Sequence, residues 1–278
     1  MTPSPPADPD DARPPPDSSG DDAARARDAR RDSASQTLSE SGGAGGPSVW
    51  PAVRGIGAGL VSGLATFYGV CGLALLTYTV AFPWTTGVQL QRWIEAEPGY
   101  EQTYEPRPLS DLDEALPLAV VAAEDTRFFQ HRGIDWTAIG EALEENRDGD
   151  ADRRGGSSLS QQLVKNLFLT THSTYLRKAL ELPLTYMAEA ILSKERILEL
   201  YVNVIEWGPG VYGAEAAVRY HYDRPAAHLT RYQAAALAAC IPNPRVRRPY
   251  RMNRYTRIIL RRMDQLQSLE LLKQREEW

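Results

Sequence analysis

A chain of 278 residues is long enough for one or two domains. Its two cysteines, Cys71 in an apolar segment and Cys240 far downstream, exclude a disulfide framework and a cysteine-based metal site, because neither has a Cys or His neighbour at ligand spacing. The formal net charge of −5 hides an asymmetry: residues 1–55 carry nine acids and six arginines, whereas residues 216–263 carry eleven arginines and one acid, Asp223. A basic end of this kind points to an anionic partner, whether phosphate, lipid headgroup or nucleic acid.

In chain order, residues 1–50 read as a disordered tail, crowded with proline and nearly devoid of large apolar residues, so they cannot offset their ordering entropy. The tail is too acidic and too long to be the start of a cleaved signal peptide. Residues 55–83 read as one transmembrane helix. No charge occurs between Arg54 and Arg92, and the dense apolar part from Ile56 to Phe82 exceeds the roughly 20 residues that a spanning helix needs. Pro83, Trp84 and Trp93 suit the far interface. One arginine flanks each side, so charge alone does not set the orientation.

Residues 84–115, with Pro98, Pro106 and Pro108, read as an irregular, membrane-proximal linker. Residues 116–278 read as a mainly α-helical domain with few strands. Pro117 suits a first helical position. Asp135 can cap a helix over 136–146, and Ser157 or Ser158 one that runs through Leu167. A long helical pattern covers Tyr175 to about Val204, in which Pro183 is expected to kink or restart the helix just past Glu181. Thr230 and Gln233 form a capping box before an alanine-rich run, and residues 254–273 make a last helix.

Three polar clusters carry candidate chemistry. Glu124 follows the apolar run from Leu118 to Ala123 and precedes two phenylalanines. Lost hydration there would raise its pKa toward the range of a general base, whereas a lone helix-end acid in solvent would not be raised. Asp125, Arg127 and His131 stand nearby, and His131 reads as a packing or hydrogen-bonding residue. In the second cluster, Gly155 and Gly156 allow close backbone approach before a helix start with free N–H groups. Ser158, Gln161, Gln162 and Lys165 then recur at i, i+3, i+4 and i+7, a polar face able to hold sugar hydroxyls and a phosphate, with Asn166 beside it. In the third, Arg177 and Lys178 precede Glu181. Arg177 and Glu181 share a helix face, and two adjacent cations suit a departing diphosphate. Further on, Glu199 and Asn203 read as braces for the site.

Taken together, Glu-Asp-x-x-Phe-x-x-His-x-Gly at Glu124–Gly133, Gly-x-Ser-x-x-x-Gln-Gln-x-x-Lys-Asn at Gly155–Asn166, Arg-Lys-x-x-Glu at Arg177–Glu181, Ile-Leu-Glu-x-Tyr-x-Asn at Ile197–Asn203 and Pro242-Asn-Pro244 resemble glycosyltransferase family 51, in its monofunctional peptidoglycan branch. The resemblance implies a lysozyme-like helical domain on the outer face of the bacterial inner membrane. It implies polymerisation of lipid II into β-1,4-linked glycan with release of undecaprenyl diphosphate. Glu124 matches the family's general base and Glu181 its second carboxylate. Lys165, Arg177 and Lys178 match its cationic substrate positions, and Ser158, Gln161, Gln162 and Asn166 its cleft-lining helix. No metal-binding residues are implied, and no cofactor is obligatory; Mg2+ or Mn2+ would accompany the substrate diphosphate. Lipid II, the nascent strand, membrane lipid and wall-synthesis or division proteins are the expected partners, and nucleic acid is not. Ser158 stands where the family has threonine, and Tyr220–Arg224 departs from the usual Tyr-Phe-Gly. A glycan hydrolase would also use two carboxylates but has no need of the three cations. A non-catalytic scaffold would have no need of either acid.

Overall fold

The computed structural model describes residues 50–147, 156–172, 174–250 and 253–276. The tail expected over 1–50 lies outside them, Trp50 apart, as does Gly155. The first helix, α1 (Trp50–Thr77), contains the stretch Gly57–Thr77, the single helix among the described residues that is long and apolar enough to cross a membrane. The described residues from Ser62 onward form one compact unit that includes the C-terminal part of α1. Within this unit, Cys71 and Leu75 of α1 are buried in the core.

The segment 84–115, expected to be irregular, contains structure. Thr86 accepts from the N–H of Gln89, whose side chain accepts from the Thr86 N–H; this capping box starts α2 (Gly87–Ile94). Beyond it come β1 (Thr103–Tyr104) and one 3-10 turn, Leu109–Asp111. The short sheet has the order β1-β3-β2, with β2 (Glu206–Gly208) antiparallel and β1 parallel to β3 (Val211–Tyr212). Gly210 makes the turn between β2 and β3 with φ 74°, and a Cβ there would lie 2.3 Å from the Glu101 carbonyl, so only glycine fits.

The centre of the domain is α3 (Ala115–Glu124). It is apolar nearly all round, which requires burial on every side. It starts two residues before Pro117, which therefore sits in the first turn, where no intrahelical acceptor is needed for its missing N–H. Helices α9 (Arg231–Ala238) and α10 (Arg254–Glu276) pack on α3, the former capped by the expected Thr230–Gln233 box. Asp135 caps α4 (Trp136–Arg147) by accepting from the Ala138 N–H at 2.8 Å. Ser158 caps α5 (Leu159–Phe168), which lies against α2, α6 (Tyr175–Ile191) and α7 (Lys194–Val204).

The expected run 175–204 is two helices, divided where Ser193 takes extended backbone and caps α7. Pro183 does not restart the helix: α6 continues through it. The proline lies on the exposed side, where the carbonyl that loses its donor can meet water, while Leu184 and Thr185 beside it are fully buried and hold the helix together. The remaining helix, α8 (Ala214–Tyr222), ends at Asp223 with φ 53°. Asp is one of the few side chains that tolerates this left-handed conformation, so the Tyr220–Arg224 departure still closes the helix as a glycine would.

Candidate active site

Glu124 ends α3 at the mouth of a cleft of about 980 Å³. Its position is set from behind. The carbonyls of the last turn of α3 have no intrahelical donors. The Tyr255 hydroxyl supplies one to Ala123 at 3.0 Å, and Arg262 Nη1 supplies one to Ala122 at 3.1 Å. Two side chains of α10 thus fix the helix end that carries the acid. Burial raises the Glu124 carboxyl above its ordinary value, and the charge of Asp125 adds to this. A hydrogen bond from Gln162 and the charges of Lys165 and Arg247 act the other way.

The Gln162 contact is direct. Its Nε2 donates to Glu124 Oε2 at 2.8 Å, and its Oε1 accepts from the Tyr201 hydroxyl at 2.9 Å. Tyr201 lies on α7, is 0 % exposed, and burial pushes its hydroxyl far above the usual range, so it stays a donor. Asp125 faces inward. One of its oxygens accepts from the Leu159 N–H at 3.0 Å, and His131 Nε2 lies 3.0 Å from the same oxygen. Asp125 therefore joins the Glu124 segment to the start of α5, and His131 supports Asp125.

The polar face of α5 is divided by the fold. Ser158 and Gln162 line the cleft. The Ser158 hydroxyl accepts from the Gln161 N–H and donates to the Gly133 carbonyl, so it is engaged in holding the chain. Gly133 has φ 87°, and a Cβ there would press on Thr185 at 3.0 Å. Gln161 is buried and spends its Oε1 on the Ser158 N–H. Asn166 is buried and donates to the Gln162 carbonyl. Neither Gln161 nor Asn166 reaches the cleft. Both are buried and bond to the backbone of their own helix start and turn.

Glu181 is 2 % exposed and holds two cations. Arg177 Nη1 pairs with one oxygen, and Lys178 Nζ lies 2.7 Å from the other. Lys178 also donates to Ser157 at 3.2 Å, and Ser157 lines the cleft, so the second cluster meets the first at that serine. Lys165, half-buried, forms no hydrogen bond or ion pair among the described residues. Burial lowers its pKa, and the charges of both Glu181 and Glu124 act on it. Around Glu181, two cations (Arg177, Lys178) contact one carboxylate, a surplus of one positive charge to which the charge of Lys165 adds. A polar anion of matching charge is what such a site takes up.

Glu199 and Asn203 brace the approach to α3, as expected. Glu199 accepts from the Leu109 N–H at 2.8 Å, and Asn203 bonds both the N–H and the carbonyl of Arg107. Residues that the motifs did not indicate form the far wall of the cleft: Arg247, Arg254, Tyr255 and Arg262. The only signal for them in the sequence is the arginine excess near the C-terminus.

Asp125, His131 and Asp135 bring ligand-type atoms within 4.8 Å of one another. Their oxygens are committed to Leu159, His131, Ala138 and, at 2.8 Å, the Arg127 guanidinium. That guanidinium occupies the place a cation would need. At the Glu181 end the available donors are ammonium and guanidinium groups, which repel a metal ion. Neither set fits a protein-held divalent cation.

The profile of the family described as Transglycosylase matches residues 90–269. The chain belongs to this transglycosylase family. It is similar to the "Biosynthetic peptidoglycan transglycosylase" of Bordetella avium, with 47 % identity over 183 residues, 63 % of this chain and 76 % of the relative. Proteins of the same name from Laribacter hongkongensis (46 % over 180 residues; 63 % and 79 %) and Aeromonas hydrophila (47 % over 171 residues; 60 % and 72 %) are similar to it as well.

Proposed function

We propose that this peptidoglycan glycosyltransferase polymerises lipid II by one inverting displacement, with Glu124 as general base. The acceptor sugar sits in the cleft with its 4-hydroxyl at Glu124. As that oxygen bonds to the anomeric carbon of the donor, its proton passes to Glu124. The bond from the anomeric carbon to the diphosphate breaks, and the electron pair leaves on the diphosphate. Lys165, Arg177 and Lys178 stabilise the departing charge, and Glu181 holds the latter two in place. Mg2+ or Mn2+, if it takes part, travels on the substrate diphosphate, and no step here depends on it.

The observation that carries this reading is Lys165. It is half-buried with no hydrogen bond or ion pair among the described residues, and it stands on the helix whose Gln162 holds Glu124 and which packs against the helix of Arg177, Lys178 and Glu181. A hydrolase acting on a neutral glycosidic bond has no use for it. We place the catalytic domain on the outer side of the bacterial inner membrane, held by Gly57–Thr77, because the lipid-linked substrate is confined to that surface. Labelled lipid II incubated with the purified protein should give a ladder of glycan on a gel, and lysozyme should digest that ladder. Finished glycan incubated alone should stay intact. Cutting of finished glycan without polymerisation of lipid II would replace this reading with the hydrolytic one.

A further inference from the structure

The arginines of α10 divide into two sets. Arg262 is engaged at the end of α3. Arg254, Arg257 and Arg261 are exposed and make no hydrogen bond or ion pair among the described residues. By contrast, Asp264 on the same helix is already paired with Arg231 at 2.7 Å. The three free arginines fall at i, i+3 and i+7, on one face. With Leu260 they line a groove of about 520 Å³. Arg254 also lines the cleft that holds Glu124, so the groove continues from the acceptor side of the site. Like charges four apart on a helix repel and weaken it. Three of them, unpaired and facing a concavity, form a site for an anion.

The spacing selects the kind of anion. Arg254 and Arg261 are separated by about 10.5 Å along the helix, at 1.5 Å per residue. A row of cations of that length suits separate anionic groups on an extended arm better than one compact diphosphate. The guanidinium fork matches carboxylate and phosphate alike, and the continuity of the groove with the Glu124 cleft through Arg254 favours a group carried by the acceptor. A membrane surface fits less well. Of the exposed aromatic and apolar side chains, Trp84, Trp93, Tyr175 and Leu176 lie on α2, on α6 and beside α1, and Val246 and Tyr250 lie just ahead of α10, but among the described side chains of α10 itself no large apolar one is exposed. We infer that Arg254, Arg257 and Arg261 form a subsite for the carboxylate-bearing peptide arm of the acceptor saccharide. The inference rests on the polymerase reading and adds to it a residue set that recognises the peptide.

The test uses the full-length protein in detergent, wild type and Arg257→Gln/Arg261→Gln; Arg254 is left intact because it also lines the cleft. Two lipid-linked disaccharide substrates are compared, one with free peptide carboxylates and one with those carboxylates amidated. The double variant should raise KM for the free-carboxylate substrate by about five- to tenfold, with kcat unchanged, as expected for exposed charge pairs. It should leave the amidated substrate unaffected, and added salt should shrink the difference. Equal effects on both substrates, or none on either, overturn the subsite. So does loss of binding to phosphatidylglycerol vesicles with the substrate preference unchanged, which would make anionic lipid the occupant. If the wild type polymerises neither substrate, the underlying polymerase reading fails instead.

Discussion

The buried hydroxyl of Tyr201 determines which end of the Gln162 amide faces Glu124. It donates to Gln162 Oε1 at 2.9 Å, which leaves only Nε2 to meet the acid, at 2.8 Å. This hydrogen bond opposes the effect of burial and keeps the carboxylate available as a base. Tyr201→Phe frees the amide to turn its oxygen toward the acid. Turnover at neutral pH should fall about two- to tenfold, the worth of one hydrogen bond. The acid limb of the pH–rate profile should move to higher pH. A fall in rate with an unmoved limb would show that Tyr201 acts only through packing.

Glu124 itself separates activity from stability. Burial holds its folded pKa above the unfolded value, so the folded state binds the extra proton. Its contribution to stability is complete below the unfolded pKa and is lost as pH rises through the folded one. At neutral pH the ionised group is a cost to the fold. Glu124→Gln should therefore lose at least about 100-fold in polymerisation, with a Tm at pH 7 equal to or above that of the wild type. Product gels and thermal melts on one preparation check both outcomes.

Glu181 should behave in the opposite way. It is the shared partner of Arg177 and Lys178, and removing its charge leaves two cations facing each other. Glu181→Gln should lower stability by about 2 kcal/mol, less than for a fully buried pair because the Lys178 side chain is 45 % exposed. Chemical denaturation measures this. A variant as stable as the wild type would show that Glu181 does not hold the cation cluster together.

Ser158 lines the cleft but is engaged in capping α5 and in holding Gly133. Ser158→Ala should cost about 1–2 kcal/mol of stability and change KM little once the protein is folded at low temperature. A large rise in KM without destabilisation would show that the hydroxyl contacts substrate.

Local signals were legible wherever one residue governs a helix end. Asp135, Ser158 and the Thr230–Gln233 box stand where the sequence places them, and the motif residues Glu124, Ser158 and Gln162 come together around one cleft. The same signature at Thr86 and Gln89 went unread among the prolines that follow it. Strands of two or three residues are too short to show a period. The wheel of α5 puts Gln161 on one face with Gln162, with Asn166 beside it, yet only the folded packing reveals that Gln161 and Asn166 are buried while Gln162 lines the cleft. Tyr255 and Arg262 lie more than 130 residues from the carbonyls they cap, a separation over which no local pattern extends.

The lower end of α1 is stitched into the enzyme. Arg196 donates to the carbonyls of Tyr78 and Ala81, both at 2.7 Å, its guanidinium lies 4.7 Å from the centre of the Phe82 ring, and Gly72 leaves just enough room for Met187. The end of the long apolar helix is therefore part of the enzyme's own interior, not a tether hung from it, so that a chain cut off before Phe82 would lose a piece of its core along with the helix.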